Sequence, residues 1–171
     1  MSSLRLALLS AEHDVSSFDC GNEQLTSWLI RHARASQRAD LARTYLALEG
    51  EQIMGYVSLT TGSVRRDKAP KRYARGMPAY RIPTILIARL AVDRRHQGRQ
   101  LGSRLLAEAL RLAVTASDAA AARLVVVDAL DERAAAFYRT RGFIDVPENP
   151  LRRYRKVSDI RRSLDGTQRL T

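Results

Sequence analysis

Apolar and polar positions along the chain set out most of its elements. Leu4 to Leu9 reads as a short strand. After Gly21-Asn22, the residues Leu25, Trp28, Leu29 and His32 recur at the spacing of one helix face. Arg31, Arg34 and Arg38 line up on the other side of that helix as a basic stripe. Arg43 to Glu49 and Gln52 to Ser63 read as two antiparallel strands joined at Glu49-Gly50-Glu51. Thr84 to Val92 (TILIARLAV) is nearly unbroken apolar sequence, the pattern of a strand covered on both faces. The polar loop DRRHQGRQLG leads into a predicted helix from about Ser103 to Ser117, with Leu101, Leu105, Leu106, Ala109, Leu110 and Ala113 on one side. Arg123 to Ala129 is a second buried strand and Asp131 to Arg141 a second helix, stopped by Gly142 as a C-cap glycine would stop it. Phe143 to Val157 suggests two closing strands around Pro147 and Pro150, and a short basic helix follows.

The order β, α, β-β, β-α-β-α-β predicts an α/β (α+β) fold. Its sheet is mixed and mostly antiparallel, with a central parallel β-α-β crossover and helices on its flanks. Residues 1–157 are expected to form a single domain. Residues 158–171 are expected to be a basic tail that can hold a short helix. Ligands of such sheets bind beyond the carboxyl ends of the parallel strands, which directs attention to Asp93 to Gly102. The 171 residues are enough for one sizeable core, and no run of eighteen apolar residues exists, so no membrane span is expected. The lone Cys20 rules out an internal disulfide and suits a reducing cytoplasm; it is expected to be a small buried residue.

Charge changes the picture by its placement. The formal net charge is +11, and it sits in two patches. Arg65 to Arg81 holds seven basic and one acidic side chain, and Leu151 to Thr171 holds seven basic and two acidic. Patches of this kind attract polyanions through counterion release, although a solvated loop and tail would have the same composition. Arg65, Arg66, Lys71, Arg72, Arg75, Arg81, Arg152 and Arg153 are the candidate phosphate contacts.

Candidate chemistry lies in two places. In Gln97-Gly98-Arg99-Gln100-Leu101-Gly102 a strand turns through small residues into a helix, whose first turn offers unpartnered N–H groups and partial positive charge. A pyrophosphate satisfies both, and Arg94, Arg95, Arg99 and Arg104 are placed to add charge-assisted bonds. The second place is Asp131-Glu132-Arg133-Ala134-Ala135-Ala136-Phe137-Tyr138, ending in Arg141-Gly142-Phe143. A tyrosine on that helix face is ordinarily a core residue with its hydroxyl at the rim.

Together these segments resemble the core of the GNAT acetyltransferases. The resemblance implies acetyl-coenzyme A as cosubstrate, with no metal. Leu90, Ala91 and Val92 would pair with the pantetheine arm, and the loop from Gln97 through Gly98, Arg99, Gln100, Leu101 and Gly102 to Ser103 would hold the pyrophosphate. The cofactor surface would extend to Asp131, Ala134 and Phe137, and Tyr138 would be the general acid for the leaving thiolate. A phenol suits a sulfur that becomes negative only as its bond breaks. Two departures stand out. Gln100 occupies a position usually glycine, and Asp131 one that is often asparagine; Asp131 is read as the N-cap of its helix.

A closer resemblance runs through Phe18-Asp19-Cys20-Gly21-Asn22-Glu23, Leu25, Trp28-Leu29, Ala42-Arg43-Thr44-Tyr45, Thr61-Gly62-Ser63-Val64, Ile82-Pro83 and Ala88-Arg89-Leu90-Ala91-Val92-Asp93. It is to the GNAT toxins of bacterial toxin–antitoxin modules, which acetylate the α-amino group of aminoacyl-tRNA and block translation. The resemblance implies a homodimer and a ribbon-helix-helix antitoxin as partner. A free α-amine titrates at roughly 8, and esterification of its carboxyl lowers that value, so such an acceptor needs little help from a base. His96, the one imidazole near the loop, is expected to be exposed. Two other readings stay open: acetylation of a protein amine or small polyamine, and a basic nucleic-acid-binding protein without catalysis.

Overall fold

The computed structural model describes residues 4–169, so the ends of the expected first strand region and of the tail, residues 1–3 and 170–171, lie outside the described residues. The elements are β1 (Arg5–Leu8), α1 (Glu23–Arg31), α2 (Ala33–Arg38), β2 (Arg43–Glu49), β3 (Gln52–Val64), α3 (Lys71–Ala74), β4 (Ile82–Val92), α4 (Leu101–Ala120), β5 (Leu124–Asp128), α5 (Glu132–Arg139), β6 (Ile144–Val146), β7 (Asn149–Lys156) and α6 (Val157–Gln168). Single 3-10 turns lie at Arg66–Lys68 and Arg94–His96. The seven strands form one sheet in the order β1-β2-β3-β4-β5-β7-β6. β4 and β5 are parallel, Thr84 to Ile87 lying against Leu124 to Val127, while β1 with β2, β2 with β3, β5 with β7 and β6 with β7 are antiparallel. This is the expected mixed sheet, with α4 as the crossover.

The residues gather into two compact units, each with its own core. The first comprises residues up to Thr60 together with Ala88–Ala109. Its interior is built from Leu9, Val15, Phe18, Leu29, Leu46, Ile53, Tyr56 and Ala91, with Trp28 and Cys20 packed against them. Asn22 caps α1 by accepting from the Leu25 N–H, and the Tyr56 hydroxyl donates to the Leu25 carbonyl at 2.7 Å, tying α1 to β3. Gly55 is needed on β3 because a Cβ there would stand 2.7 Å from the Ala91 carbonyl oxygen. The predicted basic stripe is not continuous. The helix breaks at His32, and Arg34 in α2 donates to the Ser10 and His13 carbonyls instead of facing solvent with Arg31 and Arg38.

The second unit comprises Thr61–Ile87 and Leu110–Thr171, with Val64, Tyr73, Ile82, Leu124, Val126, Val146 and Tyr154 at its centre. The Tyr154 hydroxyl donates to the Lys68 carbonyl and Arg123 donates to the Tyr73 carbonyl, so the basic 65–81 segment is anchored and not a floppy loop. α6 forms where a short helix was expected, with Val157 and Ile160 buried. Its Arg161 pairs with Asp118 at 2.7 Å, and its Arg162 pairs with Asp159.

Candidate active site

The loop that follows β4 is organised by Asp93, which is only 1 % exposed. Its carboxylate accepts from the Asp19 N–H (3.2 Å), the Arg95 N–H (3.0 Å) and the Arg95 guanidinium (2.9 and 3.2 Å). Burial alone would raise its pKa; the bonds from Arg95 and Asp19 outweigh that and hold it at about 2. Gln97 adds a second tie, its side-chain amide donating to the carbonyls of Cys20 and Val92 at 2.9 Å each. The chain then crosses left-handed backbone at Gly98 (φ +80°) and at Gln100 (φ +59°) and enters α4 at Leu101. Gln100 thus adopts a conformation that glycine reaches at no steric cost. α4 has no acidic residue in its first turn, and no atom lies within 4 Å of where a Cβ on Gly98 would be. Backbone N–H groups, an open glycine and a missing negative charge are what an approaching pyrophosphate requires.

Two expectations for this loop change. Arg94 and Arg95 are engaged by carboxylates, Arg94 with Asp19 at 3.3 Å and Arg95 with Asp93, so they serve to hold the loop. His96 is buried, at 6 % exposure, not exposed. Its Nδ1 lies 3.3 Å from an Arg99 nitrogen, and its Nε2 has no hydrogen-bond partner among the described residues. Nothing in the polar run DRRHQ signals this, because burial there comes from the 3-10 turn and not from a periodic pattern.

The strand end Leu90 to Val92 carries a cation just before it. The Arg89 guanidinium lies 3.9 Å from the Trp28 ring centroid, and Trp28 stacks in turn on Tyr56. Desolvation lowers the Arg89 pKa, which leaves it a charged group in a partly dry setting without a carboxylate partner among the described residues. Cys20 is half-buried, with its thiol beside the Thr26 hydroxyl and the Asn22 carbonyl.

In the second unit, Asp131 caps α5 by accepting from the Ala134 N–H at 2.8 Å. Ala134 and Phe137 are half-buried on this helix, and Arg141 lies 3.8 Å over the Phe137 ring. Tyr138 is buried to 8 % exposure, edge-on to Phe137 and Phe143 with ring centroids 5.2 and 5.6 Å away. Its hydroxyl makes no hydrogen bond among the described residues. Burial pushes its pKa up to about 12, so the phenol is a protonated, uncommitted donor at neutral pH.

The basic patches meet in the same unit. A cavity of about 770 Å³ is lined by Arg65, Arg66, Lys71, Arg75, Tyr80 and Arg81, among others. A second, of about 350 Å³, shares Arg65 and Arg81 with it and adds Lys68 and Arg152. Arg152 forms a two-bond ion pair with Asp128 at 2.6 and 2.7 Å. Arg72 is exposed but stands over Tyr73 and lines neither cavity. Arg153 does not belong to this surface. It is 1 % exposed, donates to the Pro150 carbonyl, lies 3.6 Å from Asp145, and its Nε is unpartnered among the described residues.

The chain belongs to the GNAT acetyltransferases: residues 8–143 match the family described as Acetyltransferase (GNAT) family. It is 37% identical over 153 residues to a tRNA-acetylating toxin of Mycobacterium tuberculosis, covering 90% of this chain and 92% of the relative. Among solved structures it resembles AtaT complexed with acetyl-methionyl-tRNAfMet, with a TM-score of 0.87 and 31% identity over 94% of this chain and 99% of that one. It also resembles a tyrosine-to-phenylalanine mutant of the AtaT toxin bound to the C-terminus of the antitoxin AtaR and acetyl-CoA. There the TM-score is 0.78 and the identity 30%, over 93% of this chain and 96% of that one.

Proposed function

We propose that this chain is a toxin-type N-acetyltransferase that moves an acetyl group from acetyl-CoA to the α-amino group of an aminoacyl-tRNA and so stops translation. The observation that carries the reading is the likeness, over nine-tenths of the chain, to the tRNA-acetylating toxin. The groove lined by Arg65, Arg66, Lys71, Arg75, Arg81 and Arg152 supports it, since it offers what RNA phosphates need.

In this reading the N–H groups of Gly98 to Ser103 hold the pyrophosphate, Leu90 to Val92 pair with the pantetheine arm, and Asp131, Ala134 and Phe137 border the cosubstrate. The neutral α-amine attacks the thioester carbon, and the proton it sheds passes to solvent. Tyr138 gives its phenolic proton to the sulfur as the carbon–sulfur bond breaks, and the phenolate takes a proton back from solvent. No dedicated base is required, because the esterified α-amine is substantially neutral near pH 7.

The partners that follow are a ribbon-helix-helix antitoxin and a second copy of the chain as homodimer. Incubation with acetyl-CoA and total charged tRNA, followed by mass spectrometry of the released amino acids, tests the activity. One or more N-acetylated amino acids are expected. Their complete absence, with acetyl-CoA bound, overturns the reading.

A further inference from the structure

We infer that the 770 Å³ cavity of the second unit is a binding site for an unpaired nucleobase, with Tyr80 as its stacking platform. The inference rests on the tRNA reading above and narrows it: the groove receives a single-stranded stretch of RNA and not a duplex.

Tyr80 is 65% exposed, while the other large exposed apolar side chains among the described residues (Leu8, Leu41 and Leu130) are leucines. Its ring has no aromatic or cationic partner and its hydroxyl no hydrogen bond among the described residues, so nothing within the fold accounts for its position. Around it stand five cations, Arg65, Arg66, Lys71, Arg75 and Arg81, with Asp67 the one acidic lining residue. Asp67 is taken up by Arg65, and Arg81 is steadied by the Ser63 hydroxyl at 2.7 Å. Ala69, Ala74 and Ala79 supply small apolar wall between the charges. The volume falls within the few hundred to a thousand Å³ typical of small-ligand sites, ample for a nucleotide.

Each feature has a counterpart in single-stranded RNA. The cations meet the flanking phosphates, and the bare ring meets a base face, which every base has and which pairing in a duplex hides. An acidic peptide would satisfy the cations but leave the ring without a role.

The test uses the full chain and fluorescence anisotropy with two RNAs of equal charge, a labelled single-stranded hexanucleotide and a blunt hairpin of three G·C pairs closed by a non-nucleotide linker, across a salt series. The wild type should prefer the hexanucleotide. Tyr80→Ala should weaken that binding by about five- to a hundred-fold without changing the slope of log affinity against log salt, because stacking releases no counterions. Tyr80→Trp should restore it, and the hairpin should shift by less than about two-fold. Arg75→Ala should do the reverse, altering the slope by about 0.7. The site is overturned if Tyr80→Ala leaves the hexanucleotide unaffected, if hairpin and hexanucleotide weaken alike, or if an oligoglutamate peptide shows the same dependence on Tyr80. If charged tRNA is not acetylated but the hexanucleotide still binds through Tyr80, the base site stands and the acetylation reading falls. Intact acetylation with no Tyr80 effect on the hexanucleotide removes the base site alone.

Discussion

A phenol held at about 12 by burial behaves differently from an exposed tyrosine at 10. It stays protonated through the whole working range, and deleting only its oxygen isolates the proton. Tyr138→Phe should retain the fold and acetyl-CoA affinity and lose about 10²- to 10⁴-fold in single-turnover acetylation. Wild-type rate should climb with pH as the acceptor amine deprotonates and then hold a plateau to at least pH 10, because the acid's pKa is raised and not lowered. A falling limb below that point would assign the proton to another group. Asp93 works in the opposite direction. Its folded pKa, about 2, lies below the unfolded value, so its contribution is full above about pH 4 and is lost as pH falls through 2. Asp93→Asn should cost about 2 kcal/mol in urea denaturation at pH 7 and flatten the acid side of the stability curve. Arg152 and Arg153 teach what a sequence reader can recover. Successive strand side chains face opposite ways, so two adjacent arginines cannot both reach one groove, and alternation alone predicts that one is turned away. That Arg153 is the inward one depends on Asp145, which the pairing of β6 with β7 sets opposite it.

At the scale of elements, the strands and long helices were legible because each has a face. The run TILIARLAV became β4, and the apolar side of α4 is where Leu105, Leu106, Ala109 and Ala113 place it, all buried. α4 runs three residues past the expected end at Ser117, to Ala120, because Ala119 and Ala120 favour helix and no Gly or Pro stops it there. α3 and the two 3-10 turns were not legible, being too short to show a period. In the candidate site, the N-cap role of Asp131 followed from residue type and the unusual position of Gln100 from the family resemblance, whereas the Asp93 network followed from neither, since Asp19 is 74 residues away. The loop before α4 offers a paired test of backbone conformation. Gln100→Gly should stabilise the protein by up to about 1 kcal/mol, and Gly98→Ala should cost about 1 kcal/mol although a methyl would meet nothing. Equal signs for the two in thermal denaturation would show that contacts, and not φ, govern the turn.

For the whole molecule, a net charge of +11 overstates what RNA can use. Seven cations line the two basic cavities, and Arg65 and Arg152 among them are already ion-paired, which leaves Arg66, Lys68, Lys71, Arg75 and Arg81. Five phosphate contacts set a salt slope for tRNA binding of about −4, and the triple change Arg66→Glu, Lys71→Glu and Arg75→Glu should remove about 2 to 3 of it while sparing acetyl-CoA affinity. An unchanged slope would mean that these side chains only solvate the surface. Those five side chains are exposed, at the ends of flexible stems, and screened by ordinary salt. Contacts of that kind are quick to form and quick to break. A poison that must visit a large pool of tRNA needs brief encounters more than tight ones, because every molecule of product it keeps is a molecule of enzyme out of use. For the proposed acetylation of tRNA, the openness of the groove sets a tempo: few copies of the protein would mark many tRNAs, and silencing it would demand a partner that lets go far more slowly than the substrate does.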